Sequence, residues 1–210
     1  MPKPGEQKKV KRTGIFGGTF NPPHLGHRHI AEEFADQMEL DRVLIIPSHV
    51  PPHKAAPDLA PDETRLAMCQ GTFDDSRFVV SRMELDREGK SYTVDTLRAL
   101  RESEGGELYF LIGDDMLLYF DQWFSPHEIL QLCRIVTSVR STEVSLEDLE
   151  AYARTHFPEE FAAGRFVFLP MEPFPVSSTE IREAVHRGDS ITGLVTAATE
   201  QLIEEERLYR

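Results

Sequence analysis

Two histidines, His24 and His27, lie beside a glycine-rich stretch near the start of the chain, GIFGGTFNPPHLGH. Gly17 and Gly18 permit positive φ angles and close approach of a ligand to the backbone, and Gly26 leaves room for a bulky anion. A helix that begins at this point would add free N–H groups and a partial positive charge. Phosphates favour the protonated form of an imidazole, in which both ring nitrogens donate hydrogen bonds. The stretch therefore predicts a polyphosphate site that stabilises charge developing during a reaction.

The same histidines permit two other interpretations. With His29 they form the pattern H-x2-H-x-H, which could ligate zinc. A zinc site usually needs four ligands, however, and no cysteine or other nearby ligand completes this set. The histidines could also be incidental residues of a tight turn. We favour the phosphate interpretation because the glycines, the histidines and the start of a helix occur together.

The stretch SSTEIR, late in the chain, is a second candidate phosphate site. Ser177 and Glu180 have the spacing of a capping box, and that interpretation needs no ligand. It does not explain Ser178, Thr179 and Arg182, which share one face of the first helical turns. Two hydroxyls, free backbone N–H groups and a forked guanidinium could together hold phosphate oxygens. A cap and an anion site can coexist here.

Other single residues carry weaker signals. Lys54 lies in a loop with four prolines, where it could contact a second phosphate or be a solvated surface lysine. Asp114 and Asp115 follow a strand and could bind ribose hydroxyls or a metal, or cap the next helix. Trp123 could stack on a flat ring or belong to the core. Thr93, the predicted N-cap of a helix, could present N–H groups to a ligand carboxylate.

These residues must be positioned by a chain that alternates strands and helices. Strands are predicted at Arg12–Gly17, Arg42–Pro47, Arg77–Arg82, Glu107–Gly113, Arg134–Val139 and, at an edge, Arg165–Leu169. Helices are predicted at Leu25–Met38, Thr93–Ser103, Met116–Phe120, Pro126–Leu132, Leu146–His156 and Thr196–Arg210. Two further helices are predicted to begin at Pro61 and within the stretch SSTEIR. This alternation predicts an α/β fold, a Rossmann-like doubly wound parallel sheet of five to six strands with helices on both faces. Ligands bind such sheets at the carboxyl ends of strands, where the candidate stretches fall.

Composition and charge argue against a membrane-spanning protein, a secreted protein and a broad nucleic-acid interface. No apolar run approaches the roughly 20 residues of a membrane-spanning helix, and the Lys-rich N-terminus lacks the apolar segment of a secretory signal. Cys69 and Cys133 have no paired spacing, which is typical of reduced thiols in a cytoplasmic protein. A formal net charge of −13 argues against a broad nucleic-acid interface. We expect a flexible basic N-terminus over residues 1–12 and a single domain with C-terminal helices over residues 13–210.

The stretch GTFNPPHLGH resembles the G-x-F-x-P-x-H-x-G-H signature of the nucleotidyltransferase superfamily, and SSTEIR resembles its second phosphate motif. The stretches PPHK, SYTVDTL and LIGDDML, followed by Trp-Phe, resemble motifs of the bacterial nicotinate mononucleotide adenylyltransferases. The likeness runs from about Gly14 to Arg187, in that family's order and spacing. It implies that the chain transfers the adenylyl group of ATP to nicotinate mononucleotide, releasing pyrophosphate, in NAD biosynthesis.

The resemblance also implies roles for individual residues. The catalytic ligands of the ATP phosphates would be His24, His27 and Arg182. The remaining ATP-binding residues would be Gly17, Gly18, Thr19, Phe20, Gly113, Asp115, Ser178 and Thr179. The acceptor would be bound by Lys54, Thr93, Trp123 and Phe124. No protein residue is implied as a metal ligand, since Mg²⁺ would arrive with the ATP phosphates. A cytoplasmic enzyme is implied, with neither nucleic acid nor membrane as a partner and with a homo-oligomer as a compatible assembly.

The chain also departs from the family pattern at a few positions. Residues 138–142 lack the Arg-Pro-Gly often seen after the fifth strand, Thr196 stands where proline is usual, and Gln201 replaces an aromatic residue. These departures bear on assembly and C-terminal packing more than on the chemistry. Two other functions stay open: a sister nucleotidyltransferase with another phosphorylated acceptor, and a non-catalytic nucleotide-binding regulatory protein.

Overall fold

Six parallel strands form one sheet in the computed structural model, which describes residues 10–49, 58–139, 144–172 and 174–210. The strands are β1 Arg12–Gly18, β2 Arg42–Pro47, β3 Phe78–Val80, β4 Glu107–Gly113, β5 Arg134–Val139 and β6 Phe166–Pro170. Their order is β3-β2-β1-β4-β5-β6, so the direction of winding reverses between β1 and β4. This confirms the predicted doubly wound parallel sheet and the position of β6 at an edge.

Helices lie between and after the strands. They are α1 Leu25–Gln37, α2 Asp62–Thr72, α3 Thr93–Glu104, α4 Asp114–Leu117, α5 Pro126–Leu132, α6 Leu146–His156, α7 Pro158–Ala162, α8 Ser178–Arg187 and α9 Ala197–Glu205, with a 3₁₀ turn at Phe120–Gln122. In the part of the chain that the structure describes, none of these helices has the length and apolar character that crossing a bilayer requires.

Apolar side chains cover both faces of the sheet, which is why its strands have continuous apolar sequences. Ile15 and Phe110 pack on one face with Leu97 of α3. Ile45 packs on the opposite face with Phe34 of α1. Burial on both faces leaves the carboxyl ends of the strands as the exposed edge where side chains can meet a ligand.

A third apolar cluster joins α2 to the last two helices of the chain, α8 and α9. It includes Met68 of α2, Ile181 of α8 and Ile203 of α9, all essentially inaccessible to solvent. Burial of such side chains contributes about 1.5–3 kcal/mol each. The cluster fixes α8 relative to α2 and α9, and thereby holds the beginning of α8 close to the end of β1.

Several element boundaries differ from the sequence prediction. β3 has three residues instead of six, because only Phe78–Val80 pairs with β2. Pro61 precedes α2 instead of opening it, since its ψ of 148° is not helical. Thr93 is the first residue of α3 and the cap is Tyr92, which makes no side-chain cap hydrogen bond.

The differences are larger near the chain's later helices. The short helix predicted at Met116–Phe120 is replaced by α4 and the 3₁₀ turn. The sequence analysis did not predict α7. The last helix ends at Glu205, and positive φ angles at Arg207 (53°) and Tyr209 (60°) turn the chain after it. The boundary proposed for the basic N-terminus stays a prediction, because residues 1–9 lie outside the described part.

Candidate active site

A cleft of about 380 Å³ opens at the carboxyl ends of β1 and β4, where the sheet reverses its winding. The predicted site residues that line it are Gly17, Gly18, Thr19, His27, Thr93, Asp115, Trp123 and Phe124. The structure therefore brings the end of β1, the first turn of α1, the beginning of α3 and the residues after β4 around one cavity.

The turn after β1 obtains its shape from Phe20 and not from the glycines. Gly17 and Gly18 are the last residues of β1 and pair in register with Ile46 and Pro47 of β2, and neither adopts the positive φ that glycine permits. Phe20 does, at 47°. Phe20 is buried behind the cleft instead of lining it.

The buried ring of Phe20 supports the histidine that lines the cleft. Its centroid lies 5.1 Å from that of His27, in an edge-to-face arrangement. Gly26 is also needed for packing, because a Cβ atom there would come within 3.0 Å of Nδ1 of His24. The His24 ring lies against Gly26, and the prediction that Gly26 leaves room for an anion stays a prediction.

His24 and His27 cap the beginning of α1 reciprocally. The backbone N–H of His27 donates to Nδ1 of His24, and the backbone N–H of His24 donates to Nδ1 of His27, each at 3.3 Å. A ring whose Nδ1 accepts a hydrogen bond carries its hydrogen on Nε2. The prediction that both ring nitrogens donate to bound phosphates stays a prediction.

The zinc interpretation finds no support in this geometry. Nε2 of His29 lies 3.1 Å from the carbonyl oxygen of Glu172, and its ring packs near Phe174 instead of beside the other two histidines. Across residues 10–49, 58–139, 144–172 and 174–210, no three His, Cys, Asp or Glu side chains are grouped so that they could hold a metal ion.

The beginning of α8 is bonded to the turn after β1. Ser177 and Glu180 form the predicted capping box. The hydroxyl of Ser178 donates to the carbonyl of Pro22 at 2.8 Å, and Nη1 of Arg182 donates to the carbonyl of Asn21 at 2.8 Å. These bonds to backbone oxygens join the two predicted phosphate motifs, although the motifs lie at opposite ends of the chain.

The predicted phosphate ligands are divided between two cavities. Thr179 and Arg182 line a second cleft, of about 440 Å³, on the side of α8 where Tyr209 also lies. Nη2 of Arg182 donates to Oγ1 of Thr179 at 3.2 Å. His27 lines the first cleft and not the second. His24 and Ser178 are among the lining residues of neither cleft.

Aromatic side chains form the other end of the first cleft. Trp123 is half-buried and packs against Phe120, with ring centroids 5.3 Å apart. Phe124 is 57% exposed and lies 5.0 Å from the ring of Tyr92. Thr93 begins α3, where the first N–H groups of a helix have no partner within it. Lys54, predicted to contact the acceptor phosphate, lies outside the described residues.

The two neighbouring carboxylates after β4 have different roles. Asp114, the first residue of α4, is buried, and its Oδ1 accepts the backbone N–H of Asp115 at 3.0 Å. Asp115 is exposed and lines the cleft. Gly113 ends β4 and is the N-cap residue of α4, and it is not among the residues that line the cleft.

The sequence analysis missed two polar residues of the cleft wall, Glu84 and Ser91. Glu84 accepts a hydrogen bond from Oγ1 of Thr96 at 2.6 Å, and burial raises the pKa of its carboxyl. The hydroxyl of Ser91 is buried and makes no hydrogen bond to any described residue. Ser91 could have been found from its place in SYTVDTL, whereas Glu84 lies in an ordinary charged stretch without a motif signal.

Comparison with known proteins identifies the family. Residues 15–184 match the sequence model of the family described as cytidylyltransferase-like. A probable nicotinate-nucleotide adenylyltransferase of Geobacter sulfurreducens is 42% identical over 94% of this chain and 98% of its own. A protein of the same description from Shouchella clausii is 38% identical over 95% of this chain and 97% of its own.

A solved structure has the same fold. The Plasmodium falciparum nicotinic acid mononucleotide adenylyltransferase complexed with NaAD superposes with a TM-score of 0.71 at 16% identity, over 95% of this chain and 97% of that one. Both phosphate motifs, the parallel sheet and the full-length relatives agree with the resemblance stated from the sequence. This chain belongs to the cytidylyltransferase-like family and, within it, to the nicotinate-nucleotide adenylyltransferases.

Proposed function

We propose that this protein transfers the adenylyl group of ATP to nicotinate mononucleotide, giving nicotinate adenine dinucleotide and pyrophosphate in NAD biosynthesis. One observation supports it most directly. His27 and the end of β1 share a cleft with Thr93 and Trp123, so the groups predicted to bind phosphate and those predicted to bind the ring line the same space. The full-length relatives described as nicotinate-nucleotide adenylyltransferases support the same assignment.

The ATP phosphates would bind at the beginnings of α1 and α8. His27 would donate from Nε2, and the free N–H groups at a helix N-terminus favour an anion. Ser178, Thr179 and Arg182 would approach from the side of α8. The present bonds of Arg182 to the carbonyl of Asn21 and to Oγ1 of Thr179 are compatible with this role, because a guanidinium has five N–H donors.

The histidine at the N-cap and the backbone of the turn would complete the nucleotide site. His24 would hold the ring of His27 in place through the reciprocal cap and contact the phosphates beside it. Gly17, Gly18 and Thr19 would line the nucleotide, with Phe20 supporting them from behind. The ribose of ATP would meet the residues after β4, Gly113 and Asp115.

The acceptor would bind at the aromatic end of the cleft. Trp123 would stack on the nicotinate ring, with Phe124 beside it. The first N–H groups of α3, at Thr93, would donate hydrogen bonds to the carboxylate of the ring, since an anion is favoured at a helix N-terminus. We therefore expect the acid to be preferred over the amide. The predicted contact between Lys54 and the acceptor phosphate remains part of this proposal.

The chemistry requires little of the protein beyond placement. A phosphate monoester is mostly dianionic at neutral pH, because its second pKa is about 6, so its oxygen needs no general base. It would attack the α-phosphorus of ATP directly, forming a P–O bond as the bond to pyrophosphate breaks. Burial raises the pKa of the thiols of Cys69 and Cys133, so neither is suited to form a covalent intermediate. Catalysis would come from positioning and from stabilising charge on the leaving pyrophosphate.

Mg²⁺ fits this arrangement as an ion that enters with ATP. The carboxylates among the residues that line the cleft are those of Glu84 and Asp115, and Mg²⁺ commonly uses one or two carboxylates together with substrate phosphates. When bound, the ion would neutralise charge on the phosphates. The two free cysteines support a cytoplasmic location, and the net charge of −13 disfavours nucleic acid as a partner. A homo-oligomer stays a prediction.

One assay tests the proposal. Pyrophosphate release from ATP is measured in parallel with nicotinate mononucleotide, its amide and phosphopantetheine. We expect rapid release with the acid and a kcat/KM at least about 100-fold lower with the other two acceptors, the scale on which a site built for one polar group rejects its analogue. Release with phosphopantetheine alone would indicate a sister enzyme. ATP binding without release would indicate a non-catalytic regulatory protein.

A further inference from the structure

Arg65 on α2 is fully buried, which is rare for a guanidinium. It donates hydrogen bonds to three backbone carbonyls: from Nη1 to Thr19 at 2.7 Å, from Nε to Ala60 at 3.1 Å, and from Nη2 to His49 at 3.5 Å. It also forms an ion pair with Asp62. One side chain thus bonds to three different segments of the chain.

The first of those carbonyls belongs to the cleft. Thr19 lines it, and the next residue, Phe20, has the positive φ that shapes the turn. The bond to Ala60 joins α2 to the segment that precedes it. The N–H of Ala60 in turn donates to Oδ1 of Asn21 at 3.0 Å. The turn after β1 is therefore bonded to Arg65 directly at Thr19 and indirectly, through Ala60, at Asn21.

Stability alone does not explain a buried arginine. Taking a charge out of water is costly, and well-packed apolar residues often replace a buried ion pair without loss of stability. A planar guanidinium, however, directs its N–H groups at fixed angles and can hold several carbonyls at once. The ammonium of lysine, on a flexible stem, cannot reproduce that geometry.

We infer that Arg65 is a positioning residue for the nucleotide-binding turn. By holding the Thr19 carbonyl against α2, it sets the wall of the cleft that ATP contacts, without contacting ATP itself. This inference rests on the proposed function. It predicts that a change at Arg65 weakens the use of ATP more than the use of the acceptor.

The test compares R65K with T72V on the same helix. Thr72 is also fully buried, and its hydroxyl lies 3.0 Å from that of Thr199 on α9, away from the turn. We expect R65K to raise KM for ATP about tenfold, the scale of losing a charged hydrogen bond, and to change KM for nicotinate mononucleotide by less than about twofold. We expect T72V to lower Tm and to leave both KM values within about twofold of wild type.

Several outcomes would overturn the inference. An unchanged KM for ATP in R65K would do so. Equal changes in both KM values, matching the loss of Tm as in T72V, would show a general structural role. If R65K and R65Q are both unfolded by circular dichroism where T72V is folded, Arg65 holds the fold and not the turn.

A binding measurement separates this inference from the proposed function. Calorimetric titration with a non-hydrolysable ATP analogue compares wild type and R65K without any reaction. Weaker binding by R65K, about tenfold, supports the inference even if wild type releases no pyrophosphate, which would refute only the proposed reaction. Equal binding by the two proteins overturns the inference whatever the wild-type activity.

Discussion

The imidazole rings of His24 and His27 lie 3.7 Å apart between centroids, and each accepts the other's backbone N–H. The two rings therefore fix one another at the first turn of α1. His27 lines the cleft, whereas His24 is buried and is not among the residues that line it. One consequence is that the donor direction of His27 is set before any ligand binds, as electrostatic preorganisation requires.

Replacing His27 tests that role. We expect His27→Ala to lower kcat by a factor on the order of 10²–10³, the scale of losing one preorganised transition-state donor. Steady-state kinetics with saturating ATP and nicotinate mononucleotide measures it. His29→Ala is the matched control on the same helix, because His29 bonds to Glu172 away from the cleft. A His27→Ala enzyme with near wild-type kcat would remove His27 from catalysis.

Trp123 is expected to affect the acceptor selectively. Trp123→Ala should raise KM for nicotinate mononucleotide about tenfold or more, since stacking of a ring on an aromatic side chain contributes about 1–3 kcal/mol. KM for ATP should stay within about twofold. Trp123→Phe, which keeps an aromatic face, should recover most of the loss. Equal increases in both KM values in Trp123→Ala would mean that the indole supports the core through Phe110 and Phe120 instead.

Tyr209 is expected to stabilise the turn from the C-terminal side. Its hydroxyl donates to Oδ1 of Asn21 at 2.7 Å, and burial raises the pKa of the phenol. Tyr209→Phe removes one buried hydrogen bond and should lower the free energy of unfolding by about 1 kcal/mol. Urea unfolding measures the change. Tyr119→Phe is the control, because Tyr119 is 62% exposed, and an equal loss in both variants would contradict this assignment.

Glu84 should make stability depend on pH. Burial raises its pKa above the ordinary value of 4.5, so the folded state binds more protons than the unfolded state. Its contribution is therefore greatest below pH 4.5 and declines as pH rises through the folded-state pKa. The difference in the free energy of unfolding between wild type and Glu84→Gln should shift against the wild type when the pH is raised from 4 to 7. Urea unfolding of both proteins at the two pH values measures it. A constant difference between the two proteins would refute this prediction.

Glu180 offers a control of opposite sign. The hydroxyl and backbone N–H of Ser177 lower the pKa of its carboxyl, so its contribution is present at neutral pH. That contribution should disappear as pH falls below 4.5, the ordinary value, through the folded-state pKa. Glu180→Gln and Glu84→Gln should thus differ from wild type with opposite dependences on pH.

The parts of the site that could be predicted from sequence are those encoded locally. The capping box of Ser177 and Glu180 was predicted from their spacing, whereas the reciprocal cap of His24 and His27 was not. Apolar runs likewise revealed the buried strands. The order of the strands and the place of the cleft then follow from general rules for parallel sheets.

Features created by long-range packing could not be predicted in this way. Arg65 occurs in the charged stretch DETRLAM, where it resembles a solvent-facing residue of an amphipathic helix. It is buried because the turn at Thr19 closes over it, 46 residues away in sequence. The burial of Glu84 could not be predicted for the same reason, since it depends on the packing of α3. The positive φ of Phe20 was also unexpected, because glycine is the usual residue for that conformation.

The bond between Ser178 and Pro22 also has a consequence for the synthesis of the polypeptide chain on the ribosome. The two residues are 156 positions apart, and Arg182 and Asn21 are separated by 161. A chain synthesised from its N-terminus exposes the turn early, but the partners from α8 emerge much later. During translation the turn therefore lacks its bonding partners until most of the domain has been synthesised. A nascent chain interrupted before α8 contains the first phosphate motif without the second.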